Sequence, residues 1–120
     1  MIDVAESYLL ETIKSLRGLK SLAEKAIEQI SREEMHFHPD SESNSIFVLM
    51  KHIAGNMISR FTDFLTTDGE KQWRNRDNEF IDDNLTHEEL FIFWNKGWET
   101  VINSVKDLKP GDLLKTVLIR

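Results

Sequence analysis

Three stretches of the chain carry apolar residues at every third or fourth position, which is the spacing of one apolar face on an α-helix. The first stretch spans residues 3–30, the second spans about 45–65, and the third runs from residue 86 to just before Pro110. This pattern predicts three long amphipathic helices and an all-α fold class.

Two pairs of residues have the spacing of a capping box, in which a hydroxyl and an acidic side chain satisfy the first amide groups of a helix. Ser31 and Glu34 predict a short helical turn, followed by a break near Pro39. Thr86 and Glu89 predict the start of the third long helix.

Residues 66–84 show no sustained period, and we predict a long loop there. Connections of this length are uncommon in compact domains and usually have a function or are disordered. Trp73 and Phe80 indicate that this loop is pinned to the body of the protein by its aromatic side chains.

The end of the chain, residues 115–120, is a run rich in β-branched and apolar residues that is typical of the first strand of a hairpin. A strand needs a partner. We therefore expect that part of the fold lies beyond Arg120 or comes from another chain.

Length and composition limit the classes of protein that fit. The 120 residues, 14.0 kDa, form a single domain spanning 1–120. A formal charge of −6 disfavours nucleic acid as a partner, and the absence of cysteine excludes disulfides and thiolate metal sites. No apolar run approaches the roughly 20 residues that cross a bilayer, so we expect no membrane partner and a cytoplasmic location.

His52 is the histidine whose surroundings point most clearly to chemistry. At 100° per residue, Asn56, Arg60 and Asp63 fall on the same side of the second predicted helix and form a polar strip beside its apolar face. Such a strip is either an exposed flank of the helix or the wall of a cavity lined by several helices.

The other three histidines give weaker signals. His36 and His38 are two residues apart, without a helix to fix a chelating geometry. His87 lies at a helix start, where the helix dipole disfavours a positive charge, so we predict a neutral surface residue. We also expect the acidic pair Asp82 and Asp83 to face solvent.

The segment from Trp73 to Asp77 combines an aromatic ring with two guanidinium groups, those of Arg74 and Arg76. Such a combination is suited to clamping a carboxylate or stacking on a planar ligand. Internal ion pairs that pin the loop explain the same residues without a ligand. The sequence leaves both alternatives open.

Taken together, several segments resemble the DinB-like superfamily, and within it a bacterial branch described only as a domain of unknown function. The resemblance extends over essentially all 120 residues, with small departures at Phe37 and Gln72. The segments that carry it are 44–46, 51–56, 59–71 and 73–77.

The resemblance implies a four-helix bundle, often a homodimer, that holds a divalent transition metal, nickel or zinc, with three histidines. The first histidine of that set matches His52. Asn56, Arg60, Trp73 and Arg74 are then the residues expected to shape the cavity and bind a substrate. Characterised relatives in the superfamily include thiol S-transferases that use bacillithiol or mycothiol, and a hydrolase-like role has been proposed for others.

The largest departure from the family is at the end of the chain. The other two metal ligands of the family form a His-x-x-x-His pair on a fourth helix, and this sequence has no such pair. We therefore expect a C-terminally incomplete bundle with three of the four helices. Metal binding by the 120-residue chain is then weak or absent, and the chain is inactive as a metalloenzyme.

A second function from a different class fits the same pattern. Three amphipathic helices without a fourth leave an apolar groove exposed, and burial of that groove favours self-association. The alternative to an enzyme is thus a non-catalytic helical module that forms a homodimer.

Overall fold

The computed structural model describes residues 3–82 and 84–120 and contains four α-helices in this part of the chain. Their bounds are Val4–Ile27 for α1, Ile46–Phe61 for α2, Arg76–Glu79 for α3 and His87–Lys106 for α4. Two short 3₁₀ turns, Glu34–His36 and Pro110–Leu114, follow α1 and α4 respectively. The predicted all-α class and the three long helices are confirmed.

The starts of α2 and α4 agree with the predicted spans, which begin at about residue 45 and at residue 86. The Ser45 hydroxyl accepts a hydrogen bond from the Val48 amide at the start of α2. Thr86 and Glu89 form the predicted capping box of α4. Ser31 and Glu34 form the other predicted box, with the two reciprocal bonds at 3.1 and 3.0 Å.

The end of α2 differs from the prediction by four residues, because the helix stops at Phe61 and not near residue 65. Thr62 is extended, and Asp63 has a φ of 48°. Aspartate tolerates this left-handed conformation better than most residues because its short side chain bonds locally. The reversal at Asp63 therefore turns the chain out of the helix.

The core lies between α2 and α4, and α4 also packs against α1. From α2 come Phe47, Met50 and Met57, all buried. The apolar face of α4 supplies Leu90, Trp94, Trp98 and Val101, and its two tryptophans are the largest side chains of the core. The helix α4 is therefore the central helix of the bundle, with α1 and α2 on either side.

The connecting segment, residues 66–84, is held to α2 mainly by polar contacts. The Lys51 ammonium is 3% exposed and donates to the main-chain carbonyls of Asn78 and Ile81 at 2.6 Å each. The buried Ser59 hydroxyl donates to the Gly69 carbonyl at 2.8 Å. Buried polar groups need such partners, so these contacts fix the path of the segment.

The prediction that aromatic side chains pin this segment is wrong for Trp73, which is 60% exposed. Phe80 is also largely exposed, although one face of its ring lies against His52 with 5.2 Å between the ring centroids. The aromatic signal was misleading because main-chain carbonyls, which every residue carries, provide the attachment.

The strand predicted at residues 115–120 is not formed, and the described residues contain no regular strand. This stretch lies against the connecting segment, where the Gly69 amide donates to the Leu118 carbonyl at 2.7 Å. Arg120 forms an ion pair with Asp68. A single main-chain bond is not enough to make a ladder.

One side of α1 and one side of α2 expose large apolar residues to solvent. We call these two surfaces the apolar flanks. They consist of Val4, Tyr8, Leu19 and Leu22 on α1, and of Ile46, Leu49 and Ile53 on α2. Within the described residues, no helix has the length and hydrophobicity needed to cross a membrane.

Candidate functional site

The centre of the candidate site is a buried carboxylate that contacts both a histidine and an arginine. Nδ1 of His52 lies 3.1 Å from Oε1 of Glu79, and Glu79 is 5% exposed. Arg74 donates from Nη2 to Oε1 at 2.9 Å and from Nε to Oε2 at 3.0 Å. A bidentate pair of this kind fixes the position of the carboxylate and places a positive charge beside it.

The local sequence explains how these three side chains meet. His52 lies in the middle of α2, while Arg74 precedes the N-cap Asn75 of α3 and Glu79 is the last residue of that single turn. A Cβ atom at Gly55 would collide with the Glu79 carboxyl group. The glycine therefore provides the space that the carboxylate occupies next to α2.

His52 is half-buried, with 30% of its side chain exposed. Its Nδ1 faces the carboxylate, so the carboxylate favours the tautomer with a hydrogen on Nδ1 and a lone pair on Nε2. A histidine held in this way is suited to accept a proton or to bind a metal through Nε2.

Asn56 and Arg60 follow His52 along α2, and both are half-buried. Arg60 is 3.0 Å from Glu70 of the connecting segment, which keeps its guanidinium at the surface of α2. Asp63 does not continue the polar strip, because it lies beyond the end of the helix and is exposed. Three residues of the strip thus stay on one helix.

The side chain of Arg74 is 2% exposed. Its guanidinium forms an internal ion pair with Glu79, as the pinning interpretation requires. One nitrogen, Nη1, is buried and has no hydrogen-bond partner among residues 3–82 and 84–120. Trp73 and Arg76 are exposed.

Two of the three remaining histidines contact one carboxylate and the third contacts one of them, an arrangement that their spacing along the chain did not predict. Asp82 lies 3.1 Å from Nδ1 of His36 and 2.9 Å from Nε2 of His38, and it accepts a hydrogen bond from the Ser45 hydroxyl at 2.7 Å. Nε2 of His36 is 3.2 Å from Nε2 of His87. We call these five residues the histidine cluster.

Two predictions about this cluster are wrong. Asp82 is not a solvent-facing acid, because it is partly buried and receives three side-chain contacts; Asp83 lies outside the described residues. His87 is half-buried against His36 and Phe47 and is not a surface residue. The spacing of these residues along the chain gave no signal, since the cluster depends on the path of two loops.

Hydrogen bonds shift the proton affinities in the histidine cluster. Burial alone raises the pKa of Asp82, but the hydrogen bonds from Ser45, His38 and His36 outweigh it, so this pKa lies below its ordinary value. The Ser43 carbonyl, and after it the Asp82 carboxylate, raise the pKa of His38 above its ordinary value. Each shift favours the ionised form of its group.

Neither group of histidines provides a complete metal site among the described residues. No set of three or more His, Asp or Glu side chains in residues 3–82 and 84–120 is arranged to hold a metal ion. Next to His52 the nearest carboxylate, that of Glu79, is already engaged by Arg74.

No curated protein and no solved structure matches the chain. A family model described as "Protein of unknown function (DUF1572)" matches residues 3–120. Because this match covers almost the whole sequence, the chain belongs to the DUF1572 family.

Proposed function

We propose that the protein is a DinB-like enzyme of the thiol S-transferase or hydrolase type, with the His52 imidazole as its working group. One observation carries this proposal: Nδ1 of His52 contacts a buried carboxylate, and Arg74 donates to both oxygens of that carboxylate. A surface histidine without a chemical role needs no buried carboxylate beside its ring and no arginine to hold that carboxylate.

The chemistry follows from the orientation of the ring. With its hydrogen on Nδ1, His52 accepts a proton at Nε2 from a thiol or a water molecule, which becomes the attacking nucleophile. The Glu79 carboxylate stabilises the imidazolium that forms. General-base assistance of this kind contributes about 10²–10⁴-fold in rate, so we expect a low activity from this device alone.

Asn56 and Arg60 are proposed to border the substrate on the same side of α2. Asn56 is one helical turn after His52, and its amide can both donate and accept hydrogen bonds. The guanidinium of Arg60 adds positive charge, part of which the Glu70 carboxylate neutralises. A small polar substrate next to His52 would meet both side chains.

The metal that the DinB-like resemblance implies is not needed for these steps. His52 fits as one imidazole ligand of nickel or zinc, because the bond from Nδ1 to a carboxylate is typical of metal-binding histidines. The described residues offer no second or third histidine beside it. A complete three-histidine site does not fit this part of the chain, and no step is routed through a metal.

The test compares variants of the purified chain in two assays: conjugation of monochlorobimane by bacillithiol, and hydrolysis of p-nitrophenyl acetate. We expect His52→Ala to abolish the activity above background, and Glu79→Gln to lower it with an altered pH profile. His38→Ala, which removes an exposed histidine, is the matched control and retains activity. Equal activity of His52→Ala and the parent chain in both assays would reject the proposal.

Self-association is a second candidate function, and the exposed apolar flanks of α1 and α2 favour it. A second copy of the chain that covers these flanks would bury their apolar area. Sedimentation velocity at micromolar concentration tests this. Leu19→Lys on the α1 flank should shift a dimer to monomer, whereas Leu10→Lys, exposed on the opposite side of α1, should not. A well-folded monomeric parent chain would contradict the candidate.

A further inference from the structure

A groove of about 520 Å³ lies between α4 and residues 73–79 and 84–85, and His52 is not among the residues that line it. Ile92 and Phe93 of α4 form one wall, and Leu85 and Trp73 belong to the other. Gly55 and Ile58 of α2 also contribute to the lining. Its size and largely apolar lining are typical of a site for a small organic molecule.

One nitrogen of a charged group in the wall of this groove lacks a hydrogen-bond partner among the described residues. Arg74 lines the groove, its side chain is 2% exposed, and Nε and Nη2 are bound to Glu79. Nη1 has no hydrogen-bond partner within the described part of the chain. A buried donor on a charged group is costly to leave unpaired, so an acceptor oxygen on a ligand would be stabilised there.

The charges that line the groove indicate the charge of the ligand. Three cations, Lys51, Arg74 and Lys96, face two anions, Glu79 and Glu89. Lys51, Glu79 and Glu89 already have partners within the chain, since the Glu89 carboxylate accepts from the Thr86 amide. The formal charges of these five groups sum to one positive charge, which a ligand with one carboxylate neutralises.

We propose that this groove binds a free organic acid with an apolar body and a single carboxylate. The carboxylate accepts from Nη1 of Arg74, and the apolar body lies between Trp73 and the side chains of Ile92 and Phe93. Because Nη1 is closed to water, a wall side chain must shift on binding; Trp73 and Ile92 are largely exposed and have room to do so. The proposal does not depend on the role of His52.

The test uses hexanoate and, as a probe of equal length and opposite charge, hexylamine. Calorimetry and ¹H–¹⁵N spectra of the purified chain should show hexanoate binding with a dissociation constant on the order of 1 mM. The shifted amide resonances should belong to residues that line the groove. Hexylamine should bind at least about tenfold more weakly. Equal binding of the two probes, no binding of hexanoate, or shifts confined to other surfaces would overturn the proposal.

Variants separate the groove from general charge effects and from the proposed activity. Arg74→Lys keeps a cation beside Glu79 but removes Nη1, and should weaken hexanoate binding at least about tenfold. Because Arg74 also supports Glu79, Lys96→Glu on the groove rim provides an independent test and should weaken binding severalfold. Lys14→Glu makes the same charge change on α1 and should have little effect; equal losses in the two glutamate variants would reject the site. His52→Ala should leave hexanoate binding unchanged whether or not His52 is catalytic.

Discussion

The carboxyl group of Glu79 lies against Gly55 of α2, in the space that a side chain at residue 55 would need. A Cβ atom at that position would collide with Glu79. A glycine inside a helix ordinarily destabilises it relative to alanine. At this position the missing side chain has a purpose, because it admits the carboxylate that contacts both His52 and Arg74.

Gly55→Ala should therefore destabilise the protein by about 1–3 kcal/mol, because the new methyl group displaces a buried ion pair. Gly18→Ala in α1 is the matched control: an added Cβ meets nothing within 4 Å there. That substitution should stabilise the helix by about 0.5–1 kcal/mol. Urea unfolding measures both free energies. Stabilisation by both substitutions would contradict the close packing of Glu79 against α2.

Lys51→Met should loosen the connecting segment from α2. The substitution leaves the carbonyls of Asn78 and Ile81 without the ammonium that they share, which we expect to cost about 2 kcal/mol. Hydrogen exchange should accelerate in residues 73–82 more than in α4. Lys14→Met, at an exposed position of α1, should change stability by less than about 0.5 kcal/mol. Unchanged exchange in the segment would show that other contacts hold it.

The extent to which sequence predicts this structure differs between helix starts and the site. Ser45 and Thr86 act through amides only a few residues away, so their helix starts could be predicted. The end of α2 depends on the reversal at Asp63, which local propensity does not specify. Interactions within a few residues were therefore predictable, and those that depend on the path of a loop were not.

The candidate site also combines residues that the sequence could single out with a residue that it could not. His52 and Arg74 could be singled out, but Glu79, which joins them, is 27 residues from His52 and is one of 21 acidic residues. Only the path of the folded connecting segment distinguishes Glu79 from the other acidic residues, because it brings Glu79 next to His52. The available signal for a close neighbour of α2 was the spacing of Lys51 and Gly55, which lie one turn apart. A buried cation and a missing side chain on one face of a helix indicate that another segment packs against it.

The histidine cluster should make stability depend on pH. The pKa of His38 is raised in the folded chain above its ordinary 6.5, so its contribution is fully present below pH 6.5 and is lost as pH rises through the raised value. The free-energy difference between the parent chain and His38→Gln should therefore shrink as the pH rises from below 6.5 through the raised pKa. A constant difference would contradict the assignment.

An NMR titration of the His38 ring gives a direct measurement of the same effect. Its midpoint should lie above 6.5 in the parent chain. In Asp82→Asn the midpoint should fall, but only in part, because the Ser43 carbonyl is the larger cause of the raised pKa. A midpoint unaffected by this substitution would show that Asp82 does not contact His38 in solution.

Metal analysis addresses the ligand set that the DinB-like resemblance implies. After incubation with nickel or zinc and gel filtration, we expect the chain to retain far less than one ion per molecule, because a single imidazole beside an engaged carboxylate does not make a tight site. Elemental analysis by mass spectrometry measures the ratio. Stoichiometric binding that His52→Ala abolishes would contradict this expectation.

The attachment formed by Lys51 has a consequence for how this protein can diverge. Two of the atoms that its ammonium binds are main-chain oxygens, which remain in place when the side chains of residues 78 and 81 are exchanged. These two exposed positions can therefore accept new side chains without release of the backbone beneath them. One lysine thereby lets the side chains of this stretch of surface change while the architecture is inherited unaltered.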